Sequence, residues 1–384
     1  MANARTDTER AQTVLPEAEP AALGLDPDRL ERLYATVEAQ IADGRYHGAQ
    51  LAIARHGKLA AFRTFGQARV DPPTPATDRT LWLLFSQTKP VVGAAIWQLV
   101  DQGALSFADR IADHIPEFAR RGKGLITVQQ VITHQGGFPD ATVSPAAWTD
   151  HERLRAEVCD FALQWDPGTR MKYHGISAHW VLAALIEAVT GRDYREVIRR
   201  DLLDPLGLDD LRVGVPQELQ DRCADMHAPG DGPASPGGEA INSPEWRTAG
   251  VPGAGGYATA AAMAAFYQLL VGEGQLNGVR VLSPRVVQLA TRNHTGERLD
   301  EAQGVAMHRG LGVYIRGTEG GNRALGTLAG PRTFGHGGAG SSQSWADPDS
   351  GLSFTYLSNT RHGAWHDQRM DKLSNLVHAA LIAP

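Results

Sequence analysis

The chain has 384 residues, 42% of them hydrophobic and 21% charged, which is enough for a sizeable core in one large domain or two lobes. A formal net charge of −6 leaves no basic footprint, so nucleic acid is not an expected partner, and no apolar run is long enough to span a bilayer. The two cysteines, Cys159 and Cys223, lie far apart, which points to a reducing compartment and not to a disulfide framework.

Residues Met1 to Arg10 carry no apolar segment of the secretory kind, and the expectation is a cytoplasmic protein. Residues 1–20 are polar with scattered Pro and are expected to form a flexible arm. Asp26-Pro27-Asp28 then opens a helix: Asp as cap, Pro in the first turn, and Leu30, Leu33, Val37 and Ile41 at helical spacing. Gln50–Arg55 and Leu59–Phe65 read as two strands joined at His56-Gly57-Lys58, an antiparallel start to a sheet.

From about Leu81 the pattern turns helical. Val91–Val100 is almost wholly apolar and stops at Asp101-Gln102-Gly103, and Pro90 suits a first turn where a missing N–H is tolerated. Ser86 therefore falls at a helix N-terminus, and Lys89, three residues on, shares its face. Thr127–His134 is a capped helix broken by Gly136-Gly137, with His134 read as a helix-end or core histidine. Asp166–Gly175 leads into an apolar helix from Ile176 to Val189, stopped by Gly191. Tyr173 thus lies in the preceding loop, where spacing alone favours a core tyrosine with a satisfied hydroxyl.

Residues 228–256 are crowded with Gly, Pro, Ser and Ala and read as a long irregular stretch, a site rim or a crossover; Trp246 within it either lines a pocket or simply packs. Thr259–Val271 is an amphipathic helix, and Leu282-Ser283-Pro284 begins another. Strands return with Phe334–Gly340 running into Ser342–Ala346, then a turn at Asp347–Gly351 and Leu352–Leu357. A helix from Met370 to Ile382 closes the chain. Strands at both ends with helices between suggest one sheet assembled from both termini around a helical insert.

The chemistry concentrates at Ser86-Gln87-Thr88-Lys89. A serine hydroxyl is a poor nucleophile until a base takes its proton, and an amine can do so only when its pKa is brought down. Burial and the positive end of a helix dipole both act on Lys89 in that direction, and the same helix end favours negative charge beside Ser86. Ser-x-x-Lys arises often by chance, but Lys58, Lys89, Lys123, Lys172 and Lys372 are the only lysines, and only Lys89 has a serine three positions before it. No Gly-x-Ser-x-Gly elbow is present. His362 and His366 are four apart, but without a convincing third ligand they read as an exposed helix end, so no metal is expected. No cofactor is implied.

With these landmarks in order the chain resembles the serine β-lactamase and penicillin-binding protein superfamily, in the branch of class C β-lactamases and most closely family VIII carboxylesterases. The resemblance rests on Ser86-Gln87-Thr88-Lys89, Thr133–Pro139, Pro167-Gly168-Thr169-Arg170 with Tyr173, Gly255–Thr259 and His336-Gly337-Gly338, and runs from about Leu25 to the C-terminus. It implies an α/β (α+β type) fold in which an antiparallel sheet flanked by helices meets a mostly helical domain. The expected division is 21–78 with 255–384 for the sheet domain and 79–254 for the helical one, with the active site at their interface. By the same resemblance Ser86 is the nucleophile and Lys89 with Tyr173 is the pair that accepts and returns its proton. Which of the two is the formal base stays open, since a coupled pair titrates as a unit. His336, Gly337, Gly338 and Ala339 correspond to the edge strand beside the nucleophile, with the backbone N–H groups of Ser86 and Ala339 as oxyanion hole.

Two departures bear on substrate. The β-lactamases carry Tyr-x-Asn where this chain has Gly175, and Lys-Thr/Ser-Gly where it has His336-Gly337-Gly338. Both remove groups that recognise a charged, amide-bearing substrate. The expected function is therefore hydrolysis of small to medium carboxylic esters through an acyl-Ser86 intermediate, with a small-molecule ester as substrate, neither nucleic acid nor membrane as partner, and the oligomeric state left open. Acyl transfer, amide or β-lactam hydrolysis, and a non-catalytic binding protein are the alternatives.

Overall fold

The structure is a computed structural model and describes residues 13–228, 238–318 and 324–382. Its main sheet takes strands from both ends of the chain: β1 (Gly48–Arg55), β2 (Lys58–Arg69) and β3 (Thr74–Pro75), then β4 (Tyr314–Ile315), β5 (Phe334–Gly338), β6 (Ser342–Asp347) and β7 (Leu352–Ser358). The order is β4-β5-β6-β7-β1-β2-β3, antiparallel throughout. The join between the two ends is the β1–β7 ladder, in register from Ala49 opposite Ser358 to Arg55 opposite Leu352. In the first hairpin Lys58 already pairs with Arg55, so the turn is the two residues His56 and Gly57, both at positive φ (51° and 75°). Such turns follow the natural twist of the strands.

Every residue of β1 is buried, because both faces of the sheet are covered. Ala52 and Ala54 face a core shared with the helices α2 (Thr88–Asp101), α3 (Ser177–Thr190) and α4 (Ala260–Val271). Leu51 and Ile53 point the other way, onto α1 (Pro27–Ala42) and α5 (Gly363–His378), where Leu30, Leu33, Val37, Met370, Leu373 and Val377 meet them. Asp26 caps α1 by accepting from the N–H groups of Asp28 and Arg29, as the Asp-Pro opening predicts. Helix α2 is buried from Thr88 through Leu99, which is why it shows no polar face in the sequence. A small sheet, Trp82–Leu83 and Leu211–Val213 on either side of Gly256–Ala258, sits just before α2. No helix among the described residues is long and apolar enough to cross a membrane.

Three expectations change. Residues 13–20 are not a loose arm: Leu15 is buried, and backbone bonds join Ala18 and Pro16 to Leu59 (3.0 and 2.9 Å). Pro16 lies in an extended run beside Leu59 of β2, and Pro20 opens a 3-10 turn to Leu23; residues 1–12 lie outside the described set. The last helix spans Gly363–His378, not 370–382. Its first turns are polar and give no apolar period, and after His378 the chain pairs Leu381 with Leu25. Within 228–256, Pro244–Ala249 forms a helix capped by Ser243 and ended by Gly250, and Gly238–Ile241 a shorter one; 229–237 lie outside the described residues. Trp246 packs edge-on against Trp148, with ring centroids 5.5 Å apart.

Candidate active site

Ser86 sits in a single 3-10 turn, Phe85–Gln87, wedged between the small sheet and α2. Leu83 is paired with Tyr257, and the Leu84 N–H donates to Gly256 O at 2.8 Å. Thr88 locks the far side, its hydroxyl donating to Phe85 O (2.7 Å) and accepting from the Gly256 N–H (2.8 Å). Phe85 is thereby held at φ 46°, a left-handed conformation that costs energy in a bulky residue and persists only where its surroundings enforce it. Its ring is held in place among Leu81, Leu83, Val215, Met226 and Tyr257.

The three residues singled out by the sequence meet. Ser86 Oγ lies 2.9 Å from Lys89 Nζ and 2.9 Å from Tyr173 Oη. Lys89 is fully buried; its ammonium also donates to Gly253 O at 2.7 Å and lies 5.1 Å from the centre of the Tyr173 ring. Burial first, and the Arg309 guanidinium second, push its pKa well below the ordinary lysine value. A hydroxyl flanked at hydrogen-bond distance by an amine and a phenol can pass its proton to whichever of them is unprotonated.

Tyr173 is delivered by the loop before α3. Its N–H donates to Asp300 Oδ1 (3.1 Å), the His174 N–H to His134 Nδ1 (3.1 Å), and the Lys172 N–H to His134 O (3.4 Å). The His134 ring stands 4.7 Å from that of Tyr173, so this histidine is a wall of the site. Burial keeps His134 and His179 well below the usual imidazole range and brings His174 down to about 4. These three histidines are therefore neutral near pH 7. Gly175 is exposed, with nothing within 4 Å of where a Cβ would stand.

His336, Gly337 and Gly338 lie on β5, which runs beside the 3-10 turn. A Cβ on Gly338 would stand 2.3 Å from Leu84 O, so only glycine allows the strand this close. His336 is almost fully buried, its Nδ1 2.8 Å from Gly337 O and its ring 6.2 Å from that of Tyr173. Ala339 follows at the turn and packs against the apolar cluster that contains Phe85 and Tyr257. Arg369 of α5 holds the next two peptides, donating to Gly340 O (3.1 Å) and Ser341 O (3.3 Å).

Sequence reasoning missed Arg309, Asp300, Tyr314, Gly253 and the part played by His134. Arg309 ion-pairs with Asp300, both almost wholly buried, and its guanidinium lies 5.1 Å from the Tyr173 ring centre and 4.7 Å from that of Tyr314. Nothing in Met307–Gly312 separates that arginine from the many surface ones. Among the described residues one trio, His151, Glu187 and Asp193, has ligand atoms close enough for a cation, but His151 itself spans both carboxylates at 2.8 and 3.5 Å. The two histidines named beforehand do not form such a group: His362 packs edge-on against Trp365, and His366 is on α5.

Residues 33–379 match the model of the Beta-lactamase family. The esterase/beta-lactamase LipL of Mycobacterium tuberculosis is 30% identical over 346 residues, covering 79% of this chain and 76% of that protein. Among solved structures, a penicillin-binding protein homolog from Caulobacter crescentus aligns with a TM-score of 0.81 at 31% identity, over 93% of this chain and 99% of that one. A family VIII carboxylesterase aligns with a TM-score of 0.81 at 26% identity, over 92% and 97%.

Proposed function

The chain belongs to the beta-lactamase family, and we propose that it is a serine carboxylesterase acting on small to medium esters. The observation that carries this reading is the Ser86 hydroxyl set 2.9 Å from both Lys89 Nζ and Tyr173 Oη. Ser86 Oγ attacks the ester carbonyl as its proton passes to the Lys89–Tyr173 pair. The oxyanion is met by the backbone N–H groups of Ser86, in the 3-10 turn that precedes α2, and of Ala339, past the end of β5. The pair then returns the proton to the leaving alkoxide, and water releases the acyl group from Ser86 by the same steps reversed.

The preference for esters over β-lactams is supported at two positions. Gly175 offers no side-chain amide to a substrate, and the strand beside the nucleophile presents His336-Gly337-Gly338 with neither a lysine nor a hydroxyl. A simple ester carries neither the side-chain amide nor the carboxylate that such groups bind, and an alkoxide leaves more readily than an amine. The esterase names of LipL and the family VIII structure agree with this reading. Two free, buried cysteines fit the cytoplasmic setting that goes with it. The test is turnover of p-nitrophenyl acetate and butyrate: Ser86→Ala is expected to lose at least about 10³ in kcat/KM, and equal rates for variant and wild type would overturn the proposal.

A further inference from the structure

Beneath Tyr173 lies a charge pair that a purely structural account leaves without a reason. Arg309 and Asp300 have side-chain exposures of 3% and 0%. Burying an ion pair is weak evidence of stability, since apolar residues of the same volume often serve as well or better. This pair is aimed at the reactive centre. Asp300 Oδ1 accepts the Tyr173 N–H at 3.1 Å and the Ala302 N–H at 3.0 Å, and Asp300 also bridges to Met171 in the same loop. Arg309 is pinned by its own N–H to Thr295 Oγ1 (3.0 Å), and its plane is packed against the rings of Tyr173 and Tyr314. A flat guanidinium stacks on aromatic faces as an ammonium does not, and stays charged throughout the working pH range.

Resting on the serine-hydrolase reading above, we propose that Arg309 and Asp300 are positioning residues for its reaction. Asp300 holds the backbone of Tyr173 in place, and Arg309 supplies the permanent positive charge that keeps the Ser86–Lys89–Tyr173 trio in its proton-accepting state. A fixed cation disfavours a second positive charge on Lys89 and favours a negative one on Tyr173, and either makes a ready base. The lowering of the Lys89 pKa, for which Arg309 is the leading charged cause after burial, agrees. Among the described residues, the groups around the Tyr173 ring are Lys89 from α2, His134 from the end of its short helix, Arg309 and Tyr314 from the segment before β5, and His336 from β5 itself. Asp300 meets its backbone. His134 stays neutral, and His336 is common to every variant below.

Two substitutions separate this role from simple support because they act in opposite directions. Asp300→Asn keeps an acceptor for the Tyr173 N–H and leaves Arg309 uncompensated. Arg309→Met with Asp300→Asn removes both charges without stranding either in the interior. The readout is the pH dependence of Ser86 labelling by a fluorophosphonate, followed beside kcat/KM for p-nitrophenyl acetate. The acid limb of labelling is expected to move to lower pH in Asp300→Asn and to higher pH in the double variant, by about half a unit or more each way. Limbs that stay at the wild-type position, with rates merely scaled down, overturn the proposal; so do limbs that move in the same direction. If the double variant fails to fold, the acidward displacement in Asp300→Asn decides alone. Wild type that is labelled but does not turn over the ester overturns the esterase reading and leaves the labelling limbs to judge Arg309.

Discussion

Lys89 and Lys123 are both fully buried, and they differ in how their ammonium groups are satisfied, a difference that agrees with the role proposed for Lys89. Lys123 Nζ donates to three carbonyls, those of Arg120, Cys159 and Phe161 at 3.0, 2.9 and 2.7 Å, which is what a buried ammonium needs. Lys89 has one carbonyl, Gly253 O, besides the Ser86 hydroxyl, and an arginine nearby. Its folded pKa is lowered, so between that value and 10.5 the unfolded chain binds more protons than the native one. Native stability therefore rises with pH across that window. Lys89→Met is expected to abolish ester turnover while gaining stability relative to wild type near neutral pH. That advantage shrinks as pH approaches the ordinary lysine value. Thermal unfolding of both proteins at neutral and alkaline pH checks this; the loss of a donor to Gly253 O acts equally at every pH, so the difference between the two conditions is the clean quantity.

At the scale of elements, the site depends on how closely one strand passes one turn. The 3-10 turn at Phe85–Gln87 is held by the small sheet and by Thr88, and β5 approaches it through Gly338. Gly338→Ala would put a methyl carbon 2.3 Å from Leu84 O and 2.4 Å from Ser342 Oγ, so the strand must withdraw. That displaces Ala339 from the oxyanion position proposed for its N–H, where losing one donor typically costs about 10²–10³ in kcat. The expected result is a drop of that order in p-nitrophenyl ester turnover in a protein that still unfolds cooperatively; undiminished kcat would show that β5 takes no part. The His-Gly-Gly run is visible in the sequence as a motif. The carbonyl that forbids a side chain there lies some 250 residues away (Leu84 to Gly338) and is visible only once the chain is folded.

At the scale of the whole molecule, the sheet is a wall between two cores, and the proposed active site lies on one side of it. The other side is closed by α1 and α5, from opposite ends of the chain. Met370, Leu373 and Val377 are completely buried there, and Arg369 from the same helix holds the turn after β5. Each large apolar side chain lost from a core costs about 2–5 kcal/mol, against a total stability of about 5–15 kcal/mol. A chain ending before Gly363 is therefore expected to show no cooperative unfolding transition by calorimetry; a normal transition with intact ester turnover would refute this architecture.

Local pattern carried the sequence reading a long way. Capping at Asp26 and Thr127, the helix starts at Thr259 and Ser283 and the stop at Gly191 are set by residues within a turn of one another, and each stands where the pattern puts it; the hairpin turn read at His56-Gly57-Lys58 closes one residue sooner, at His56-Gly57. The ordered motifs around Ser86, Lys89, Tyr173 and His336 were legible for the same reason, as short strings with a known resemblance. What no string contains is the meeting of groups far apart in the chain. Arg309 beneath Tyr173, Gly253 O on Lys89, Leu84 O against Gly338 and the strained Phe85 all depend on contacts between distant segments. In water such groups are solvated separately and carry no mutual signal. Only packing into a low-dielectric interior makes the charge of one residue govern the proton of another.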